Sequence, residues 1–405
     1  MYKLIDKGIC APMGFSANGI HAGIRKGRDK KDLTLIYSST MCKASATYTL
    51  NKVKGAPIAI CKKHLKDGLA QAIIVNSGNA NTCNYNGEEI AEAMCELSAN
   101  ALNLKTSDVL VASTGVIGEV LSIDPVKNNI DELVNGLSSD KASDAWEGIS
   151  TTDTKEKQFA IEMNLNGKSV KLGAMAKGSG MIHPNMATML AFVTSDVNIS
   201  SELLDKMTKE VVDDTFNMVS VDGDTSTNDT LIVMCNGQAE NDIIDKEDET
   251  YEMFKNALKD ICTKISKAIA EDGEGATKLL TCNVYNACDT KNAKIVAKSV
   301  ITSSLVKSAF FGCDANWGRI LCAIGYSEAS LNVNSVDVTL KSISGEIKVC
   351  ENGSGLKLDE EKALRILKED EVIIDIDLKD GEGKATAWGC DLTYEYVKIN
   401  GEYRT

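Results

Sequence analysis

Apolar and polar positions alternate through residues 14–60, with "DLTLIYS" and "PIAIC" as apolar runs after charged turns. This period of two predicts strands. Residues 71–76, with the apolar run "AIIV" at their centre, open into a loop rich in Asn and Gly, the pattern of a buried strand. The period then changes. In "GEEIAEAMCELSANAL" (87–102) Ile90, Met94 and Leu97 share one side and acidic residues open the segment, which predicts an amphipathic helix. A strand from 108 enters a glycine turn before 121, and "IDPVKNNIDELVNGL" reads as a helix with Pro125 near its first turn. "KQFAIEMNLNGKSVKLGAMAKG" reads as two strands around a hairpin turn at 166–168.

The second half repeats the alternation. A strand (189–195), a helix (201–213), the loop "SVDGDTSTNDT" and the strand "LIVMC" lead into a long helix within 246–271. Further strands are expected at "DVTLKS", "GEIKVCENG", "EVIIDIDL" and "ATAWGCDLTYEYVKI", with a helix near 359–368. The two "DGEG" strings, at 272–275 and 380–383, follow a helix end and a strand respectively, so they read as similar turns and not as a repeat. No Pro/Gly/Ser-rich linker divides the chain.

At 405 residues the chain is long enough to bury a large core without staples. Its thirteen Cys are odd in number and scattered, with no CxxC, which predicts reduced and mostly buried thiols. Three His argue against a histidine-rich metal site. A net charge of −14 with no long basic run argues against nucleic acid or an anionic membrane as partner. The N-terminus has no signal-peptide core and nowhere do 18 apolar residues run together, so the expected location is the cytoplasm.

One stretch concentrates unusual residues: "AKGSGMIHPNMATMLAF" (176–192), where Lys177, two glycines, a Pro and His183 precede Ala187–Thr188. Threonine is a poor nucleophile without a base. An N-terminal Thr has one in its own α-amine, which titrates at about 7.7–8.0. For an internal Thr188 that amine appears only if the Ala187–Thr188 bond breaks, and the small Ala187 side chain leaves the path to its carbonyl open. The alternative is a glycine-rich loop before a core strand, with Thr188 an ordinary strand residue.

"AKGSGMIHPNMATML" resembles the signature of the ornithine acetyltransferase family, the bifunctional glutamate N-acetyltransferases of arginine biosynthesis. "GFSANGIHAGIR", "NSGNAN", "STGVIGE", "TTDT", "SVDGDTSTNDT", "DGEGATK", "DANWGRIL" and "ATAWGCDLTYEYVKINGEYRT" resemble family segments in the family's order, across residues 14–405. The resemblance implies an α/β fold with sheets packed between helices, the self-cleaving Thr-nucleophile fold shared with related aminopeptidases. It implies cleavage between Ala187 and Thr188 into segments 1–187 and 188–405, which assemble as a heterotetramer of two chains of each kind. Thr188 is then the nucleophile, its freed amine the base, and Thr114 with Gly115 the oxyanion hole. Thr151, Lys177, Thr188, Glu274, Asn400 and Thr405 match the family's substrate-binding positions. The implied reaction moves the acetyl group of N-acetylornithine to glutamate through acetyl-Thr188, with no metal or organic cofactor. Acetyl-CoA is a second donor if the chain is bifunctional.

His183 departs from the family, where a smaller residue such as Ala is common, and is read as a loop histidine without a catalytic part. Two rival readings are a hydrolase of the same architecture, in which water resolves the acyl-enzyme, and a non-catalytic amino-acid-binding module.

Overall fold

The computed structural model describes residues 2–27, 29–183 and 189–402. Ala187, Thr188 and Thr405 lie outside the described residues. In chain order the strands of the first half are Tyr2–Ile5 (β1), Phe15–Ile20 (β2), Leu33–Tyr48 (β3), Leu69–Asn76 (β4), Val109–Ser113 (β5), Gln158–Leu165 (β6) and Lys168–Lys177 (β7). Then come Leu190–Ser195 (β8), Val219–Ser220 (β9), Thr230–Cys235 (β10), Leu279–Ala287 (β11), Asp337–Ser342 (β12), Gly345–Glu351 (β13), Ser354–Gly355 (β14), Glu371–Asp377 (β15) and Gly383–Cys390 (β16).

They form two sheets. The larger runs β1-β6-β7-β8-β10-β3-β4-β5, with β2 also on β3; the smaller runs β14-β13-β12-β15-β11-β16-β9. At the middle of the larger sheet β8 lies antiparallel to β7 and parallel to β10. Every residue of β8 and β10 is buried, which is why both read as near-continuous apolar runs. Because side chains alternate along a strand, these strands feed two cores. Ala174, Ala176, Ala191, Val193, Leu231 and Val233 face one, and Met175, Leu190, Phe192, Ile232 and Met234 face the other.

The second of these cores is closed by helices Ala56–His64, Gly87–Leu102, Asp124–Asn135 and Ala142–Ile149. On the opposite side lie helices Ser201–Asp214 and Glu249–Glu271. Glu249–Glu271 packs on β6 and β7 of one sheet and on β11 and β16 of the other, so it is the layer between them. Its sequence explains it: Tyr251, Phe254, Leu258, Ile261, Ile265 and Ile269 recur at three- and four-residue spacing and are all buried. Asp248 caps it, accepting from the Thr250 and Tyr251 N–H groups at 2.9 and 3.2 Å. The fold is thus mixed α/β with sheets between helices, and none of the described helices is long and apolar enough to cross a membrane.

Two expected strands are helices. "PIAIC" belongs to Ala56–His64, where Pro57 sits in the first turn and Ile58, Cys61 and His64 are buried at helical spacing. "TYEYVKI" belongs to Tyr394–Glu402, because β16 stops at Cys390 and the Thr393 hydroxyl accepts from the Tyr396 N–H at 3.3 Å, which turns the chain into a helix. That helix buries none of its side chains, and Tyr394 is 83% exposed.

Candidate active site

The sheet registers bring distant segments to one edge. Lys177, the last residue of β7, pairs with Leu190 at the start of β8, and Leu190 pairs with Thr230 at the start of β10. The Thr230 N–H donates to the Met189 carbonyl at 2.8 Å, so the entry to β8 is held one residue beyond Thr188. From β5 comes Thr114. Its N–H donates to the Asn76 carbonyl at 3.0 Å, and Asn228, just before β10, donates its side-chain amide to the Ser113 and Ala80 carbonyls at 2.9 and 2.6 Å. Asn228 therefore ties the turn carrying Thr114 to the approach to β10. Thr114, Lys177, Met189 and Asp229 line one small cavity.

Gly115 has φ of 127°, and a Cβ there would stand 2.7 Å from the Gly78 carbonyl carbon. Only glycine fits so close to that backbone. The loop it touches is held by Asn76, whose side-chain oxygen accepts from the Gly78 and Asn79 N–H groups at 3.1 and 3.0 Å. Gly115 also lines a cleft of about 620 Å³ together with Gly78, Arg25, Thr151 and Thr152. Arg25 clasps this cleft by donating to the Ser77 and Ser150 carbonyls at 2.8 and 2.9 Å.

Lys177 is only 9% exposed, and its ammonium makes no hydrogen bond or ion pair among the described residues. Burial lowers its pKa, against the opposing fields of Asp153, Asp229 and Glu274. A desolvated cation without a partner is costly, and an anionic group of suitable size would relieve it.

Glu274 sits in the turn after helix Glu249–Glu271. It accepts from the Thr152 hydroxyl at 2.8 Å and from Asn400 at 2.9 Å, while its N–H donates to the Ser179 carbonyl at 2.8 Å. A side chain at Gly180 would run into its carboxylate. Thr114 and Lys177 thus share the small cavity, Gly115 and Thr151 share the large cleft, and Glu274 and Asn400 bond to each other.

His183 bonds through Nδ1 to the Ser220 hydroxyl at 3.1 Å. Burial, helped by Lys298, pushes its pKa down to about 4, so the ring is neutral at pH 7.

A buried ionic knot under the site was not read from the sequence. Lys157 bonds to Asp153 at 2.7 Å and to Asp272. Asp153 also accepts from the Thr151 N–H at 2.9 Å and the Gly178 N–H at 2.7 Å. Burial alone would raise the Asp153 carboxyl, but Lys157, Lys177 and the Gly178 N–H together hold it down at about 2. Asp272 accepts from the Thr154 and Lys155 N–H groups at 3.0 and 3.2 Å. One lysine thereby fixes the Thr151–Thr154 loop, the end of β7 and the turn carrying Glu274. Asp153 and Asp272 lie inside "TTDT" and "DGEG", which is the only trace of the knot in the sequence.

The model of the ArgJ family matches residues 16–405. Arginine biosynthesis bifunctional protein ArgJ of Caldanaerobacter subterraneus is 50% identical over 404 residues, covering 100% of both chains. Arginine biosynthesis bifunctional protein ArgJ 1 of Clostridium acetobutylicum is 50% identical over 403 residues, covering 99% of this chain and 98% of that one. A crystal structure of arginine biosynthesis bifunctional protein ArgJ from Bacillus halodurans is 44% identical with a TM-score of 0.51, and the match covers 53% of this chain and 100% of the solved one. With a family model spanning almost its whole length and half its residues shared with two full-length relatives, the chain belongs to the ArgJ family, acyltransferases of arginine biosynthesis.

Proposed function

We propose that the chain transfers the acetyl group of N2-acetyl-L-ornithine to L-glutamate in two half-reactions through acetyl-Thr188. The observation that carries this reading is Lys177: a buried ammonium without a partner among the described residues, sharing one cavity with Thr114 and with Met189, the neighbour of Thr188. Both substrates have an α-carboxylate, so one fixed cation serves both halves of a ping-pong reaction.

In the first half the Thr188 hydroxyl attacks the acetyl carbon while its own free amine takes the proton. The oxyanion is met by the Thr114 hydroxyl and the Gly115 N–H. The bond to ornithine nitrogen breaks and that nitrogen receives the proton. Glutamate's amine then attacks acetyl-Thr188 and regenerates the hydroxyl. Glu274, held by Thr152 and Asn400, takes the substrate's ammonium or amide end. Thr151 and Thr405 complete the substrate contacts.

The free amine requires self-cleavage into 1–187 and 188–405, joined as two chains of each kind. The solved Bacillus halodurans chain supports this division: 53% of 405 residues is about 215, close to the 218 residues from position 188 onward. Acetyl-CoA serves as a second donor to glutamate, by analogy with the bifunctional relatives. The chemistry calls on no metal or organic cofactor, and its place is the cytoplasm.

Intact mass together with an acetyl-transfer assay, with and without acetyl-CoA, tests the reading. Two fragments meeting at 187/188 and glutamate-dependent release of ornithine are expected. One intact chain of 43.5 kDa that only binds amino acids would replace it with a binding module, and ornithine release indifferent to glutamate would replace it with a hydrolase.

A further inference from the structure

The cavity between Thr114, Lys177 and Asp229 measures about 20 Å³. A polar space of roughly 10–15 Å³ or more holds one water when two to four polar groups surround it. Here Thr114, Lys177, Ser226, Asn228 and Asp229 supply them. Asp229 stands out among these. It is 2% exposed, and its Oδ2 is buried without a hydrogen-bond partner among the described residues. Buried carboxyl oxygens are normally satisfied, so this Oδ2 asks for a partner that the described residues do not provide. Lys177 attracts it across the cavity, yet no ion pair joins them. Burial pushes the Asp229 carboxyl up against the pull of Ser226 and Lys177, which makes its ionised form a stronger proton acceptor than a surface carboxylate.

We propose that this cavity holds the water consumed in self-cleavage, and that Asp229 takes a proton from it. The inference rests on the reading of Thr188 as a self-cleaving residue. Attack of the Thr188 oxygen on the Ala187 carbonyl carbon breaks the peptide C–N bond and leaves an ester with a free Thr188 amine. Completion needs water. Its oxygen bonds to the Ala187 carbonyl carbon and its proton passes to Asp229. The bond to the Thr188 oxygen then breaks, and that oxygen receives the proton back from Asp229. Met189, which follows Thr188 in the chain, lines one wall, and Thr114 on another is the donor proposed above for the oxyanion of acetyl transfer, which has the same tetrahedral chemistry. A substrate carboxylate on Lys177 competes for the same ammonium, so the water site belongs to the ligand-free chain.

The test uses the full-length wild-type, Asp229→Asn and Thr188→Ala chains, with intact mass followed before and after neutral hydroxylamine, which opens esters and leaves ordinary amides alone. Asp229→Asn should split about 10²-fold or more slowly, as loss of a general base does, and hydroxylamine should split the waiting chain before residue 188. Thr188→Ala should stay whole under both conditions. Splitting of Asp229→Asn at the wild-type rate overturns the proposal, and so does a whole Asp229→Asn chain that hydroxylamine cannot open, because its block lies before the ester. A second variant guards against misfolding: Asp229→Ala should split faster in formate than in chloride, and equal rates count against the proposal. A wild-type chain that never splits is a different result, which removes the self-cleavage reading and this one with it.

Discussion

Lys157 and Lys177 are both buried, at 0% and 9% exposed. Lys157 directly precedes β6 and Lys177 ends the neighbouring β7, where the N–H of Ala176, the residue before Lys177, donates to the Lys157 carbonyl at 3.0 Å. Their surroundings are opposite. The Lys157 ammonium is fully engaged by Asp153 and Asp272, whereas the Lys177 ammonium has no partner among the described residues. The carboxylate whose field acts most strongly on Lys177 is already taken, since Asp153 bonds to Lys157, Thr151 and Gly178. One lysine therefore closes its own charge and builds the floor of the site. The other is held open by that floor. The same residue type is structural in one place and ligand-facing in the other because of how its counter-charges are shared.

The largest effect should come from breaking the closed side. Lys157→Met strands two buried carboxylates and should cost about 3–5 kcal/mol of stability, read by denaturant unfolding. A near-neutral change would mean that the knot is not what fixes the three site segments.

Thr114→Ala leaves both lysines alone and removes an oxyanion donor. It should lower kcat by about 10²–10³-fold with little change in KM. A raised KM at unchanged kcat would move Thr114 to substrate binding.

Lys177→Met should sharpen the contrast with Lys157. It should weaken N-acetylornithine and glutamate together, by about 1.5–3 kcal/mol each, while stability holds or rises because no paired charge is broken. A loss confined to one substrate, or destabilisation on the scale of Lys157→Met, would erase the distinction.

The smallest effect belongs to His183. His183→Gln should change kcat little near pH 7, where the ring is already neutral, and stability by no more than about 0.5 kcal/mol. Burial holds the folded pKa at about 4, below the ordinary value of about 6.5. The unfolded chain therefore binds the proton first, and the wild type loses stability as pH falls from about 6.5 toward 4. His183→Gln should flatten that slope in a series of unfolding curves.

Much of this architecture is legible in the sequence wherever one signal dominates. Helix Gly87–Leu102 was read to the residue because Ile90 and Met94 mark a buried face behind an acidic first turn. The Asn166–Gly167 turn joins β6 and β7 as its composition requires, with Asn166 at φ 52°. Mixed signals hid the rest. Helix Thr290–Thr302 buries Ala293, Val296, Ala297, Val300 and Ile301 at helical spacing, but Val and Ile favour strands, so the segment's pattern names neither element. "PIAIC" and "TYEYVKI" misled in the same way. Of the site, Thr114, Gly115, Lys177, Glu274 and Asn400 were named from motifs, because each lies inside one. Lys157 lies outside every motif, and Asn228 and Asp229 lie inside "SVDGDTSTNDT" without the motif revealing a role for them. Lys157 acts on Asp272 and Asn228 on Ser113, partners 115 residues away in each case, and no local pattern encodes such a pairing.

The central claim is that Thr188 carries the acetyl group, and one measurement addresses it directly: the masses of the purified protein before and after N-acetylornithine is added without glutamate. The account predicts two chains parting between Ala187 and Thr188, the second of which gains one acetyl group and loses it when glutamate follows. Ornithine release with no acetyl gained on the chain beginning at Thr188, or with the acetyl on the 1–187 segment, would contradict it.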